Sequence, residues 1–151
     1  MSSTDTPRDR LLAVQRLQEL ELDEAQTLQA RLEKAAAAQR QRLGVLEAGL
    51  DEDRKLEVTL MASASGVSVE ALRQLRMYLH AQGQDLLQQQ EILSKAEAEA
   101  DTARLSVVGN FERLSATRRL RERRAAEVSV QQLRAQFKKF DDMAIVTKRN
   151  A

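Results

Sequence analysis

Met61-Ala62-Ser63-Ala64-Ser65-Gly66-Val67-Ser68-Val69 is the one stretch where small and turn-forming residues cluster between two long runs of helical periodicity. Gly66 is free to take a positive φ and close a helix, and Ser68 can cap the next one through its hydroxyl. Two long helices joined by so short a loop fold back antiparallel. The expected fold is therefore all-α: a long antiparallel two-helix coiled-coil hairpin with a C-terminal helical overhang. Its parts are a flexible N-terminus over 1–5, a first helix over 6–62, a hairpin loop over 63–68, a second helix over 69–146 and a flexible C-terminus over 147–151.

Outward from the break, the second helix has the cleaner pattern. Leu72, Leu79, Leu86, Leu93, Ala100, Val107 and Leu114 follow one another at seven-residue intervals. Its alternate positions are weaker, with Leu75, Ala96 and Ala103 among Gln82, Gln89, Asn110 and Thr117. The first helix opens at Thr6-Pro7-Arg8-Asp9, where Thr6 suits a cap, Pro7 the first helical position and Asp9 the first turn. Leu11, Val14, Ala25, Leu28, Leu32, Ala35, Leu46, Leu56 and Leu60 fit one heptad frame, with Leu22, Leu43 and Leu50 one position off it. That offset lengthens the local step and predicts a slack supercoil near residues 28–50. Folding about Gly66 sets Leu60 against Leu72 and Leu46 against Leu86. It also brings Arg73 and Arg76 to Asp53 and Glu57. Gly49 falls opposite Gly83 with Gly44 nearby, which predicts a soft zone or a close backbone approach, with a mere accident of helix composition an equal alternative.

The two arms are unequal. A first helix of about 56 residues is roughly 84 Å long, and a second of about 78 is roughly 117 Å, at 1.5 Å per residue. Everything beyond about Arg124 should project past the start of the first helix. At that height the seam positions become Arg121 and Arg124, and a new stripe begins: Ala126, Val130, Leu133, Phe137, Phe140 and Ala144. It lies on the side opposite Val128 and Ala135 and has no partner within the chain. Free apolar faces mark binding surfaces; a heterologous partner, a second copy or self-packing could cover this one.

Composition removes several kinds of chemistry. Of the 151 residues, 31% are charged and only 3% aromatic, with no Trp, no Cys, one Pro and one His. That is the composition of long helices rather than of a ring-filled globular core. Without cysteine there is no disulfide framework, thiolate site or cysteine nucleophile. No apolar run is long enough for a membrane span, and the N-terminus has neither a basic nor an apolar leader segment, so a cytoplasmic protein is expected. His80 reads as a solvated helix residue or a tip contact. Asp51-Glu52-Asp53 splay around a helix and cannot converge on one ion. No enzyme activity, cofactor, metal or small-molecule substrate is expected.

Charge is uneven: residues 101–151 carry 12 basic and 6 acidic side chains. Arg113, Arg118, Arg119, Arg121, Arg123 and Arg124 fall within one short window against the single acid Glu122. Clustered arginines can neutralise phosphates, but these point all round the helix and no aromatic interleaves to stack bases. A partly salt-bridged face, with Arg121 and Arg124 near Asp9 and Asp5, or an acidic protein partner fits better than nucleic acid.

Arg118-Arg119-Leu120-Arg121-Glu122-Arg123-Arg124, followed by Ala125-Ala126-Glu127, and the ending Lys138-Lys139-Phe140-Asp141-Asp142-Met143-Ala144 carry a resemblance. A hairpin of this length with such a second helix resembles the FliJ/YscO (SctO) family of type III secretion systems. The specific part covers residues 113–144. The resemblance implies a non-catalytic stalk, similar to the central γ subunit of rotary ATPases, that binds the hexameric secretion ATPase. It also implies links to the export-gate protein and to secretion chaperones, at the cytoplasmic side of the inner-membrane export apparatus. The overhang would then enter the ATPase ring, with Val130, Leu133, Phe137, Phe140 and Ala144 as the plug and Arg118, Arg119, Arg121, Arg123 and Arg124 beside it. The tip would face the gate or chaperones through Tyr78, Leu79 and His80; Tyr78 matches an aromatic of the family there, while Gln82 and Asp85 depart from its apolar pattern. The alternatives are a coiled-coil chaperone escort without ATPase contact and, behind it, a basic coiled coil on nucleic acid.

Overall fold

The computed structural model describes residues 7–63, 66 and 68–150, with the side chains of Arg8 and Asp9 excepted. It is all-α: helix α1 (Pro7–Ala62) and helix α2 (Val69–Arg149) pack against each other as an antiparallel hairpin. Pro7 opens α1 as expected, while the Thr6 cap lies outside the described residues. Three residues expected in the tail are helical, because Thr147-Lys148-Arg149 contains no breaker. Two basic side chains in the last turn also suit the negative end of the helix dipole.

Both sides of the break satisfy their own end groups. Ser68 caps α2: its Oγ accepts from Ala71 N at 3.1 Å, and its carbonyl accepts the first helical bond from Leu72 N. At the end of α1, Ser63 N donates to the Thr59 carbonyl and Ser63 Oγ to the Leu60 carbonyl. Gly66 corrects the expectation made for it, since no described residue, glycine or otherwise, has a positive φ. The helix already stops at Ala62, so Gly66 stands too far downstream to be the residue that closes it.

The helix pair divides into two compact units, Glu24–Val107 and Met1–Asp23 with Val108–Ala151. In the first, the line Leu72, Leu79, Leu86, Leu93, Ala100 and Val107 is withdrawn from solvent, as are Leu75, Gln82, Gln89, Ala96 and Ala103 between them. Buried most deeply are Ala36, Leu50, Ala100 and Ala103, with Gln89 the one buried polar side chain among the described residues. Gln89 is accommodated because its Nε2 donates both to Gln39 Oε1 at 2.8 Å and to the Gln39 carbonyl at 3.2 Å. Pairs along the flank join Arg40 to Glu97 at 2.9 Å, Arg104 to Glu33 at 3.2 Å and Arg76 to Glu57 at 3.2 Å. Exposed pairs of this kind contribute at most about 1 kcal/mol each, so they tune the register more than they hold the fold.

The α1 frame differs from the one its leucines suggest. The covered residues here are Ala25, Gln29, Leu32, Ala36, Gln39, Leu43, Gly49, Leu50, Asp53, Glu57 and Leu60. Leu22, Leu43 and Leu50 are thus true seam residues, whereas Val14, Leu28 and Leu56 lie beside it, 44%, 41% and 50% exposed, and Ala35 is exposed too. With Leu28 off the seam, the steps alternate four and three on both sides of Leu46, which is itself 36% exposed, and the frame shift that gave the reason for a slack supercoil disappears. Asp53 accepts from Gln82 at 2.8 Å rather than meeting Arg73.

At the glycines, the structure overturns the close backbone approach. A Cβ built on Gly44, Gly49 or Gly83 would meet nothing within 4 Å, so no backbone approaches closely there. Each is a helix-interior glycine with no packing reason. Gly49→Ala and Gly83→Ala should each raise stability by about 0.5–1 kcal/mol, read by thermal or urea unfolding. A loss of stability from either would restore the close-approach reading.

Candidate functional site at the free end of the second helix

In the unit formed by Met1–Asp23 and Val108–Ala151, α1 supplies Leu11, Gln15, Gln18 and Leu22 to the seam, and α2 supplies Asn110, Leu114, Thr117 and Arg121. Leu114 is 1% exposed and is the only described side chain wholly removed from solvent. Beside it runs a polar network. Arg121 donates to Gln15 Oε1, and Gln15 Nε2 donates to Glu19 Oε1 at 2.9 Å. Arg118 donates to the same carboxylate oxygen at 3.3 Å. The hydrogen bond from Gln15, and then that from Arg118, hold the Glu19 carboxyl below the usual carboxylate range.

From Glu122 to Asn150 every side chain is exposed. The structure thus leaves the whole predicted stripe uncovered: Val130 is 46% exposed, Leu133 52%, Phe137 64% and Phe140 69%, and Ala126 and Ala144 are exposed with them. The six stripe residues recur every three or four positions along one uninterrupted helix, so they share one face. Met143, Ile145 and Val146 are also uncovered but lie off that face.

The five arginines assigned to the site do not act as one patch. Arg118 and Arg121 are turned to α1, Arg119 donates to the Ser115 carbonyl at 3.3 Å, and Arg123 and Arg124 are exposed. The expected pairing of Arg121 and Arg124 with Asp9 and Asp5 falls on side chains outside the described ones. Where α1 begins, a groove lined by Leu11, Gln15, Arg118, Arg121, Arg124 and Val128 opens along α2. The sequence reading missed it. Its signal was the seam itself, which runs on from Arg121 through Arg124 to Val128 beyond the first residue of α1.

The three tip residues separate. Tyr78 and His80 are exposed, but Leu79 is partly covered as a seam residue of α2 and is not free for a partner. His80 instead shares a shallow depression with Met77 and Arg73. Among the described residues no group of three or more His, Asp or Glu could hold a metal ion, and no helix is long and apolar enough to cross a membrane. Asp51 is engaged by Lys55 at 3.2 Å, one turn along the same helix.

Fold and site together define an antiparallel two-helix hairpin whose second helix runs on past the first residue of α1 and carries there an apolar face that no described residue covers. No family model matches the sequence, and no curated protein and no solved structure matches it.

Proposed function

We propose that this chain is a non-catalytic stalk or coupling subunit of a type III secretion system. It binds the secretion ATPase hexamer through the free end of α2 and links that ATPase to the export gate and substrate chaperones. The observation that carries the reading is the uncovered stripe from Val130 to Phe140, two phenylalanines included, on the one stretch of α2 that α1 does not accompany. An apolar face of this kind in water calls for a partner, and the resemblance of residues 113–144 to FliJ/YscO second helices supplies its class. A stalk has no need of catalytic groups, which agrees with a sequence holding one histidine and no cysteine. Association with the cytoplasmic face of the inner-membrane export apparatus belongs to the same proposal.

Two features weigh against nucleic acid. Arg118 and Arg121 are already committed to Glu19 and Gln15, and the arginines left over do not form a stripe. The experiment is a titration of the full chain into the secretion ATPase of the same organism, following hexamer formation and ATP turnover together. A rise in both at one copy per hexamer supports the stalk. No change in either replaces it with the chaperone-escort reading, for which Tyr78, Met77 and His80 are the exposed tip residues.

A further inference from the structure

Three of the four ion pairs between the helices among the described residues follow one geometric rule; the fourth, from Arg76 to the seam residue Glu57 near the loop, departs from it. Arg40, Glu97, Arg104, Glu33, Arg118 and Glu19 each stand one residue after a seam residue: Gln39, Ala96, Ala103, Leu32, Thr117 and Gln18. Away from the loop, the antiparallel helices of this chain thus pair charges from that one position, because side chains on both helices lean toward their own N-termini and meet there.

Applied to the overhang, the rule selects four residues. Glu127, Arg134, Asp141 and Lys148 each follow a position of the stripe's own repeat: Ala126, Leu133, Phe140 and Thr147. All four are exposed, and none is in an ion pair among the described residues. The stripe is also symmetric about its centre. Read against a reversed copy of itself, Ala126 faces Ala144, Val130 faces Phe140 and Leu133 faces Phe137. In that same register, with the offset seen in the hairpin, Arg134 meets Asp141 and Glu127 meets Lys148. By symmetry each contact occurs twice.

We infer that the overhang pairs antiparallel with the overhang of a second copy of this chain, through the stripe from Ala126 to Ala144. Neighbouring registers are disfavoured by charge. A shift of one heptad in either direction sets Asp141 against Asp141 or Arg134 against Arg134, and like charges so placed repel. A parallel pair offers no opposite charges, and it brings Glu122 beside Glu127. The other flank of the stripe (Ser129, Gln136 and Met143) carries no charge and imposes no register of its own. The pairing face lies opposite Val128, which lines the groove beside α1, so α1 does not obstruct it. This inference does not depend on the secretion reading; a partner that takes the stripe must displace the second copy.

Sedimentation equilibrium of the full chain over a range of concentrations tests it. The expected result is a reversible monomer–dimer equilibrium. Arg134→Asp alone, or Asp141→Arg alone, weakens it by roughly tenfold, since each creates two like-charge contacts. Arg134→Asp with Asp141→Arg restores the opposite pairs and the dimer. Circular dichroism should show unchanged helix in all three, because both side chains are exposed. A chain that stays monomeric to its solubility limit overturns the inference. So does a dimer indifferent to the single reversals, which would point to an opened, exchanged hairpin, and so does a double variant no stronger than the singles.

Discussion

On the stalk reading, Phe137→Asp combined with Phe140→Asp should abolish association with the secretion ATPase while leaving the helical content of the chain, and the melting temperature of its monomer, unchanged. Both rings are largely in water, 64% and 69% exposed, so removing them deletes little buried area within the chain. The cost falls on the complex. An interface that covers the stripe must desolvate two carboxylates with no compensating donors, and an unpaired buried charge costs several kcal/mol. A loss of association of at least about a hundredfold follows, or about 2.7 kcal/mol. It is measured by titrating the variant into the ATPase and by comparing thermal melts of the free chains. Association surviving intact would remove the stripe from the binding surface. The hairpin tip and its exposed Tyr78 would then be the place to look.

The stripe is legible in the sequence, because the arithmetic of unequal arms and a change of helical face are both properties of the sequence. Its surroundings were harder to read. An arginine is ambiguous in a string of letters: Arg118 and Arg121 look like part of a basic cluster, yet each is taken up by α1 through Glu19 and Gln15. Leu79 fails for a related reason. It was grouped with Tyr78 and His80 as a neighbour in sequence, but consecutive helical residues point about 100° apart, and Leu79 belongs to the seam line.

The hairpin itself followed from one break and one line of leucines, and the cap by Ser68 was set by its hydroxyl. The α1 frame differs from the one its leucines suggest because the largest number of apolar residues does not mark the seam. In a two-helix structure the flanks of the seam also attract leucines, since a half-covered position still removes some apolar surface from water. The true seam of α1 passes through Gln15, Gln29, Gln39, Asp53 and Glu57. Four of these five are paid for by polar partners on α2: Arg121, Gln89, Gln82 and Arg76. The clean line on α2 held the clue. Gln82 and Gln89 on that seam require polar partners at matching heights of α1, and Asp53 and Gln39 stand there.

Leu114→Ala is expected to be the most damaging single substitution for the fold, costing about 2–3 kcal/mol, the low end of the range for burying Leu and truncating it to Ala. Leu114 is 1% exposed, and the other residues that α2 supplies to the seam of its unit are Asn110, Thr117 and Arg121. No neighbouring apolar side chain on α2 can take over its role. The opposing α1 segment already carries a weakness, because the buried Gln18 Oε1 has no hydrogen-bond partner. The loss should therefore appear locally, as faster amide exchange over residues 11–22 than over 25–60, together with a lower melting temperature. Leu20→Ala is the control: on the same segment but 61% exposed, it should change stability by no more than about 0.5 kcal/mol. Equal effects from the two would mean that the seam of this unit is not centred on Leu114. A large loss spread evenly over both helices would mean that the chain unfolds as one cooperative block. In that case a partner on the free end of α2 would have to bind it with the whole hairpin intact.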